Sequence, residues 1–258
     1  MTSRSQPLAG KKGLILGIAN EHSIAYGCAK AFHDDGAELA ITYGTPKAEP
    51  YVRPLAEALN SPIFQYCDLL EDDPLDALFA RITDEWGRLD FALHSVAFAP
   101  RDDLHGPLSE CSRQGFTMAC DVSCHSFMRL AKLSKPLMTR GGALLTMSYF
   151  GAQEVVENYG VMGPVKAALE STVRYLAVEL GPQAIRVNAI SPGPIPTRAA
   201  SGIAHFDDLI TMAQDRSPGK ELVTIDDVGA LAAFLVSDRA RRITGNISFV
   251  DAGLHVVA

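Results

Sequence analysis

Short apolar runs alternate along the chain with segments of helical periodicity. The runs GLILGI (13–18), ELAITY (38–43), PIFQYCDL (62–69) and LDFALHSV (89–96) predict four strands. GALLTMS (142–148), IRVNAIS (185–191) and NISFVD (246–251) predict three more. Between them, apolar residues recur at helical spacing over roughly 23–35, 49–59, 75–86, 115–138 and 159–180. The strands are nearly continuous in apolar residues, not strictly alternating. Strands of that kind are parallel and covered on both faces. Strand and helix in alternation predict βαβ units with right-handed crossovers. The expected fold is α/β: one doubly wound Rossmann-type domain over 1–258, with a mostly parallel seven-stranded sheet and helices on both faces. Residues 191–223 lack a clear strand and contain PGPIP. They predict a loop followed by one or two short helices, with a flap over the ligand at about 193–222.

Composition narrows the class of function. Of 258 residues, 47% are hydrophobic, which excludes a disordered chain. The formal charge of −7 argues against nucleic acid or an anionic membrane as the main partner. Five cysteines without CxxC spacing read as buried thiols and not as a metal site, so no metal is expected and a reducing cytoplasm fits. The start of the chain has no apolar run of signal-peptide length, and no segment has the ~20 apolar residues of a membrane span.

Candidate chemistry gathers at the carboxyl ends of the expected strands, where such folds bind ligands. The first turn, GIANEHSIAYG (17–27), is not GxGxxG but meets the same physical need. Gly17 permits a close backbone approach. Ser23 is positioned to cap the helix and donate to a phosphate, and Gly27 to let helix and sheet pack closely. An ordinary strand-turn-helix would look the same. Asp68 and Leu69 end the third strand, where a side chain could meet an adenine. Ser95, Val96 and Ala97 follow the fourth and are small enough to leave room for a ribose and nicotinamide. The second strand ends in Tyr43-Gly44-Thr45, which carries neither the acid that selects NADH nor the arginine that selects NADPH.

The stretch YFGAQEVVENYGVMGPVK (149–166) sets Tyr159 seven residues before Lys166. On a helix, seven residues turn about 700° and rise about 10.5 Å, so both side chains would share a face. A phenol further from the lysine suits a reaction in which charge develops on an oxygen several bonds from the carbon that receives hydride. Tyr149, at the end of the fifth strand, reads as either a pocket wall or a participant. YGCAK (26–30) has the shorter four-residue spacing but lies on the first helix.

GIANEHSIAYG, CDLLED, HSVAFAP, LLTMSYFGA, NYGVMGPVKAALE, IRVNAIS, PGPIPTRAASGI and ITGNISFVDAG occur in order. With these, the chain resembles the bacterial enoyl-acyl-carrier-protein reductases of the short-chain dehydrogenase superfamily, from about residue 8 to 253. The resemblance implies reduction of the trans-2 double bond of an enoyl thioester in fatty-acid elongation. It implies Tyr149, Tyr159 and Lys166 as catalytic residues and NADH as cofactor, with NADPH left open by Gly44. It also implies an acyl-carrier-protein-linked substrate and a cytoplasmic homotetramer. Gly17, Ser23, Ile24, Asp68, Leu69, Ser95, Val96, Ala97, Lys166, Ile195 and Thr197 then form the cofactor site. Ala99, Tyr149, Tyr159, Met162, Ile203 and Phe206 form the acyl pocket.

Three features depart from the resembled pattern. Gly44 lacks a polar side chain, Pro164 stands two residues before Lys166, and Asp207 and Asp208 put negative charge on a flap expected to meet an acidic carrier. A paralogue acting on another enoyl thioester, a ketone or alcohol dehydrogenase, and a non-catalytic dinucleotide-binding protein remain as alternatives.

Overall fold

The computed structural model describes residues 6–198, 200–202 and 206–257. Seven parallel strands form one sheet: β1 (Lys12–Leu16), β2 (Glu38–Tyr43), β3 (Ile63–Tyr66), β4 (Phe91–His94), β5 (Gly142–Met147), β6 (Ile185–Pro192) and β7 (Ile247–Val250). Their spatial order is β3-β2-β1-β4-β5-β6-β7. The chain reverses direction of growth between β1 and β4, the switch point where doubly wound folds open a crevice. Register there is continuous, with Gly13 opposite both Leu39 and Phe91.

Helices α1 (Ile24–Asp34), α2 (Glu49–Ala58) and α9 (Ile225–Val236) cover one face. Their apolar sides join Ile15, Ile41, Leu93 and Leu145 in one core cluster. Helices α3 (Asp73–Trp86), α6 (Ser126–Ser134) and α7 (Met162–Leu180) cover the other face around Leu14, Ala92 and Leu144. Adjacent residues of one strand thus enter opposite cores, the reason the strands carry no polar alternation.

The expected elements match the observed strands to within a few residues, but the helices differ in three places. The helix expected over 115–138 is α5 (Arg113–Cys120), a wide π turn (Asp121–His125) and α6. A short α4 (Arg101–His105) and the whole of α9 were not expected. α9 begins with a capping box in which Thr224 and Asp227 satisfy one another's backbone N–H groups.

Gly27 does not serve helix–sheet packing as expected. A Cβ at Gly27 would meet the Ile225 carbonyl oxygen at 2.3 Å, and one at Gly229 the Gly27 carbonyl at 2.5 Å. The two glycines let α1 and α9 approach with backbones in contact. Gly27→Ala is therefore expected to separate these helices at a cost of ~1–3 kcal/mol. The thermal midpoint at fixed protein concentration should fall by roughly 2–10 °C. An unchanged midpoint would show that the helices can part without loss.

Candidate active site

Five chain segments meet beyond the carboxyl ends of β1, β4, β5 and β6. They enclose a cavity of about 710 Å³. Lining it are Ile24, the run Ser95–Ala99, Tyr149, Tyr159, Met162, Lys166, Ile195, Thr197 and Phe206, with Leu104 and Ser148. A larger cavity of about 990 Å³ lies on the other side of Leu209 and is lined by Glu154, Asp208, Arg216 and His255. It contains neither tyrosine nor the lysine, so the chemistry belongs to the smaller one.

Gly17 ends the first strand run with φ of 108°, and a Cβ there would sit 2.0 Å from the Ser95 carbonyl oxygen. Only glycine allows this approach at a positive φ. Ser23 is placed differently from expectation. Its side chain does not cap α1. Its hydroxyl accepts from the N–H groups of Ala19 (3.0 Å) and Asn20 (3.1 Å) and donates to Asn20 Oδ1 (3.3 Å), shaping the turn itself. Asp68 folds back to accept from Leu70 N–H at 3.0 Å, and Leu69 is buried in the sheet core. Neither lines the cavity. Ile203 lies outside the described residues.

Tyr159 is not on a helix. α7 starts at Met162, and the chain before it turns through Asn158 (φ 61°) and Gly160 (φ 49°). Two helical turns thus do not explain the seven-residue spacing. Positive φ at Gly160 stops helical propagation toward Tyr159, and a Cβ there would press on the Leu104 carbonyl at 3.0 Å. Pro164, third in α7, falls in the first turn, where its missing N–H has no helical partner to lose. It leaves Lys166 in place.

That placement is tight. Lys166 is 5% exposed, and its Nζ donates to the Met147 carbonyl at 2.7 Å. Burial pushes its pKa down to about 8, against a smaller upward pull from Cys124 and Glu170. The Tyr149 and Tyr159 rings lie 4.8 Å apart, tilted by 59°. Burial raises both phenols well above the ordinary tyrosine range, helped by Asp251 for Tyr149 and by Tyr149 for Tyr159. Each is a protonated donor at neutral pH. The Tyr149 hydroxyl is buried with no protein partner.

His94, at the end of β4, is fully buried between Thr146 Oγ1 (3.1 Å) and Ser126 Oγ (2.7 Å). Ser126 donates to the Val122 carbonyl at 2.6 Å, so its oxygen is left to accept from His94 Nε2–H. Burial, then the Lys166 charge, pushes His94 down to about 3, keeping it neutral. It ties the first residue of α6, just after the π turn, to the sheet. Ser123, in the same turn, binds both backbone groups of Phe98 at 3.0 and 3.2 Å and so fixes the loop after β4. Periodicity gave no sign of this, because a π turn breaks helical spacing by a single residue.

A doubly wound parallel sheet, a glycine turn at its switch point and a tyrosine–lysine pair at its carboxyl edge define a reductase of the short-chain dehydrogenase type. Residues 17–255 match the model of the family described as "Enoyl-(Acyl carrier protein) reductase". The chain belongs to that family. It is 47% identical over 97% of its length to the NADH enoyl-acyl-carrier-protein reductase FabI of Aquifex aeolicus, covering 93% of that protein. To FabI of Escherichia coli K12 it is 45% identical over 97% of its length and 96% of the relative's. The solved reductase of Anaplasma phagocytophilum, in complex with NAD, superposes with a TM-score of 0.94 at 46% identity, over 98% of this chain and 96% of that one. A Bacillus cereus reductase with NADP+ and an indole naphthyridinone gives 0.95 at 42% identity, covering 97% and 98%.

Tyr149→Phe removes a buried hydroxyl that no protein group satisfies. The ligand-free protein is expected to gain about 1 kcal/mol, read as a higher denaturant midpoint at constant slope. A loss of stability would mean that the hydroxyl is well solvated in the free protein.

Proposed function

We propose that this chain reduces the trans-2 double bond of enoyl thioesters carried by acyl carrier protein, with NADH as reductant, in fatty-acid elongation. The observation that carries the reading is the convergence of Tyr159, Tyr149 and Lys166 on one cavity at the carboxyl edge of the sheet. The residues present fit a dinucleotide. Gly17 lets the end of the first strand run lie against the Ser95 carbonyl, and Ser95 and Ala97 keep the β4 edge of the cavity open. A Cβ at Gly44 would meet only the Cys67 carbonyl, at 3.9 Å, and Gly44 itself offers no basic side chain to a 2′-phosphate. That supports NADH.

When bound, the nicotinamide supplies hydride to the β-carbon of the substrate. Negative charge then gathers on the thioester oxygen. Tyr159, kept protonated by burial, donates a hydrogen bond to that oxygen. Tyr149 packs against its ring and has a free hydroxyl to hold the thioester. Lys166 would bind the ribose hydroxyls with the protons not spent on Met147. Ile195 and Thr197 would back the nicotinamide, and Met162 and Phe206 line the acyl end. Asp68 and Leu69 sit at the end of β3, further from the cavity, where the adenine would rest.

The chain works as one dinucleotide-binding unit, with residues 193–222 as a flap over the substrate. Among the described residues no helix is long and apolar enough to cross a membrane. A cytoplasmic homotetramer agrees with the free cysteines and with apolar side chains on the outer face of α7, where Tyr175 is 78% and Val178 80% exposed.

Purified protein should oxidise NADH with a crotonyl thioester and leave an acetoacetyl thioester untouched. Tyr159→Phe should lower turnover by roughly 100-fold or more, with NADH affinity held. Oxidation with the keto substrate alone would reverse the reading. Val178→Lys should convert the tetramer to smaller species in sedimentation. A tetramer that survives the substitution would place the interface elsewhere.

A further inference from the structure

Behind the cavity wall lies a second acidic side chain that the reaction above does not use. Glu170 lies one helical turn beyond Lys166 on α7 and is 4% exposed. Both of its oxygens are engaged. Ser148 Oγ donates to Oε1 at 2.7 Å, and Gln153 Nε2 to Oε2 at 3.0 Å. Ser148 precedes Tyr149 in the chain, and Gln153 follows it by four residues. The carboxylate thus grips both ends of the segment that presents Tyr149. Lys166, on the same helix face, grips the residue before Ser148 through the Met147 carbonyl at 2.7 Å. Two side chains one turn apart bind three points of one short loop.

A carboxylate withdrawn from water is costly unless charge and hydrogen bonds compensate it. Here two neutral donors reach it, and Lys166 stands one turn away on the same helix. Other titratable groups face the same space. His94 from β4 is pushed down to about 3 by burial, and the Tyr149 and Tyr159 phenols are raised by it. Cys124 from the π turn faces Lys166, and Asp251, after β7, faces Tyr149. Glu170 raises the Lys166 pKa, opposing the larger effect of burial. Glu170 does not itself line the cavity. It reaches the cavity through Ser148, which does, and through its field at Lys166.

We propose that Glu170 is a positioning residue of this active site, clamping the Tyr149 segment through Ser148 and Gln153 and acting as buried counter-charge to Lys166. The proposal rests on the functional reading above, because it assigns the counter-charge to the group that would hold the cofactor ribose. It separates two effects that distinct variants can isolate. Glu170→Gln keeps the shape and one acceptor oxygen but removes the charge. Ser148→Ala keeps the charge but frees the strand end.

The test is NADH affinity, by fluorescence titration, as a function of pH, together with turnover on a crotonyl thioester. In the unmodified protein affinity should be held below the Lys166 pKa and lost as pH rises through about 8. In Glu170→Gln the ammonium loses its anion, so the loss of affinity should begin about one pH unit lower. Ser148→Ala should lower turnover by roughly 10-fold, with the pH of the affinity loss unmoved. Identical pH profiles for Glu170→Gln and the unmodified protein would overturn the counter-charge role. Unchanged turnover in Ser148→Ala would overturn the clamp. A protein that binds no NADH in any form would sink the functional reading, and this proposal with it.

Discussion

One hydrogen bond joins the two halves of the site: Lys166 Nζ to the carbonyl of Met147. It is a contact between a helix and the last residue of the central strand β5, made by an ammonium almost sealed from water. An amine in that setting keeps its proton less readily, and burial takes its pKa down to about 8. The site therefore depends on how the surrounding structure holds this cation. α7 supplies it, β5 receives it, and the glycine-initiated turn before α7 delivers Tyr159 to the same cavity.

The rest of the fold can be read as the support for that arrangement. β4 and β5 are central strands covered on both faces, so their carboxyl ends are held from above and below. His94 fastens the end of β4 to β5 through Thr146 and to the first residue of α6, just after the π turn, through Ser126. Ser123 carries the same turn to Phe98 and so to the loop that roofs the cavity. Each link is buried and hydrogen-bonded, as polar groups in an apolar interior must be. A polar chain of this kind adds direction to a core whose apolar contacts have none.

The acyl side is built on less regular structure. α4 and the start of α8 (Phe206–Arg216) flank the cavity, and His105 Nε2 donates to the Gly202 carbonyl across its mouth at 2.6 Å. Thr197 accepts from Ala200 N–H at 3.1 Å, shaping the chain that leaves β6. Neither contact is fully buried. A rigid sheet edge facing a loosely tied cover is a common arrangement where a substrate must enter and leave.

The strand pattern by itself determined the fold class, because strands covered on both faces must be apolar throughout and strand–helix alternation leaves few topologies. Ser95, Val96, Ala97, Tyr149, Tyr159 and Lys166, which line one cavity, were legible because each sits at a strand end or in a motif of recognisable spacing. What the chain order could not show was contact between distant segments. Gly27 looks like a helix–sheet glycine until α9, two hundred residues away, is found against it. α9 lies just past the stretch expected as loop and short helices and was not expected, although Thr224 and Asp227 carry its start signal. The seven residues between Tyr159 and Lys166 suggested two turns of helix. The tertiary structure instead bends the chain at Asn158 and Gly160 and starts the helix at Met162. Periodicity reports which residues can share a face only where the backbone is regular, and at this site irregular backbone sets the phenol.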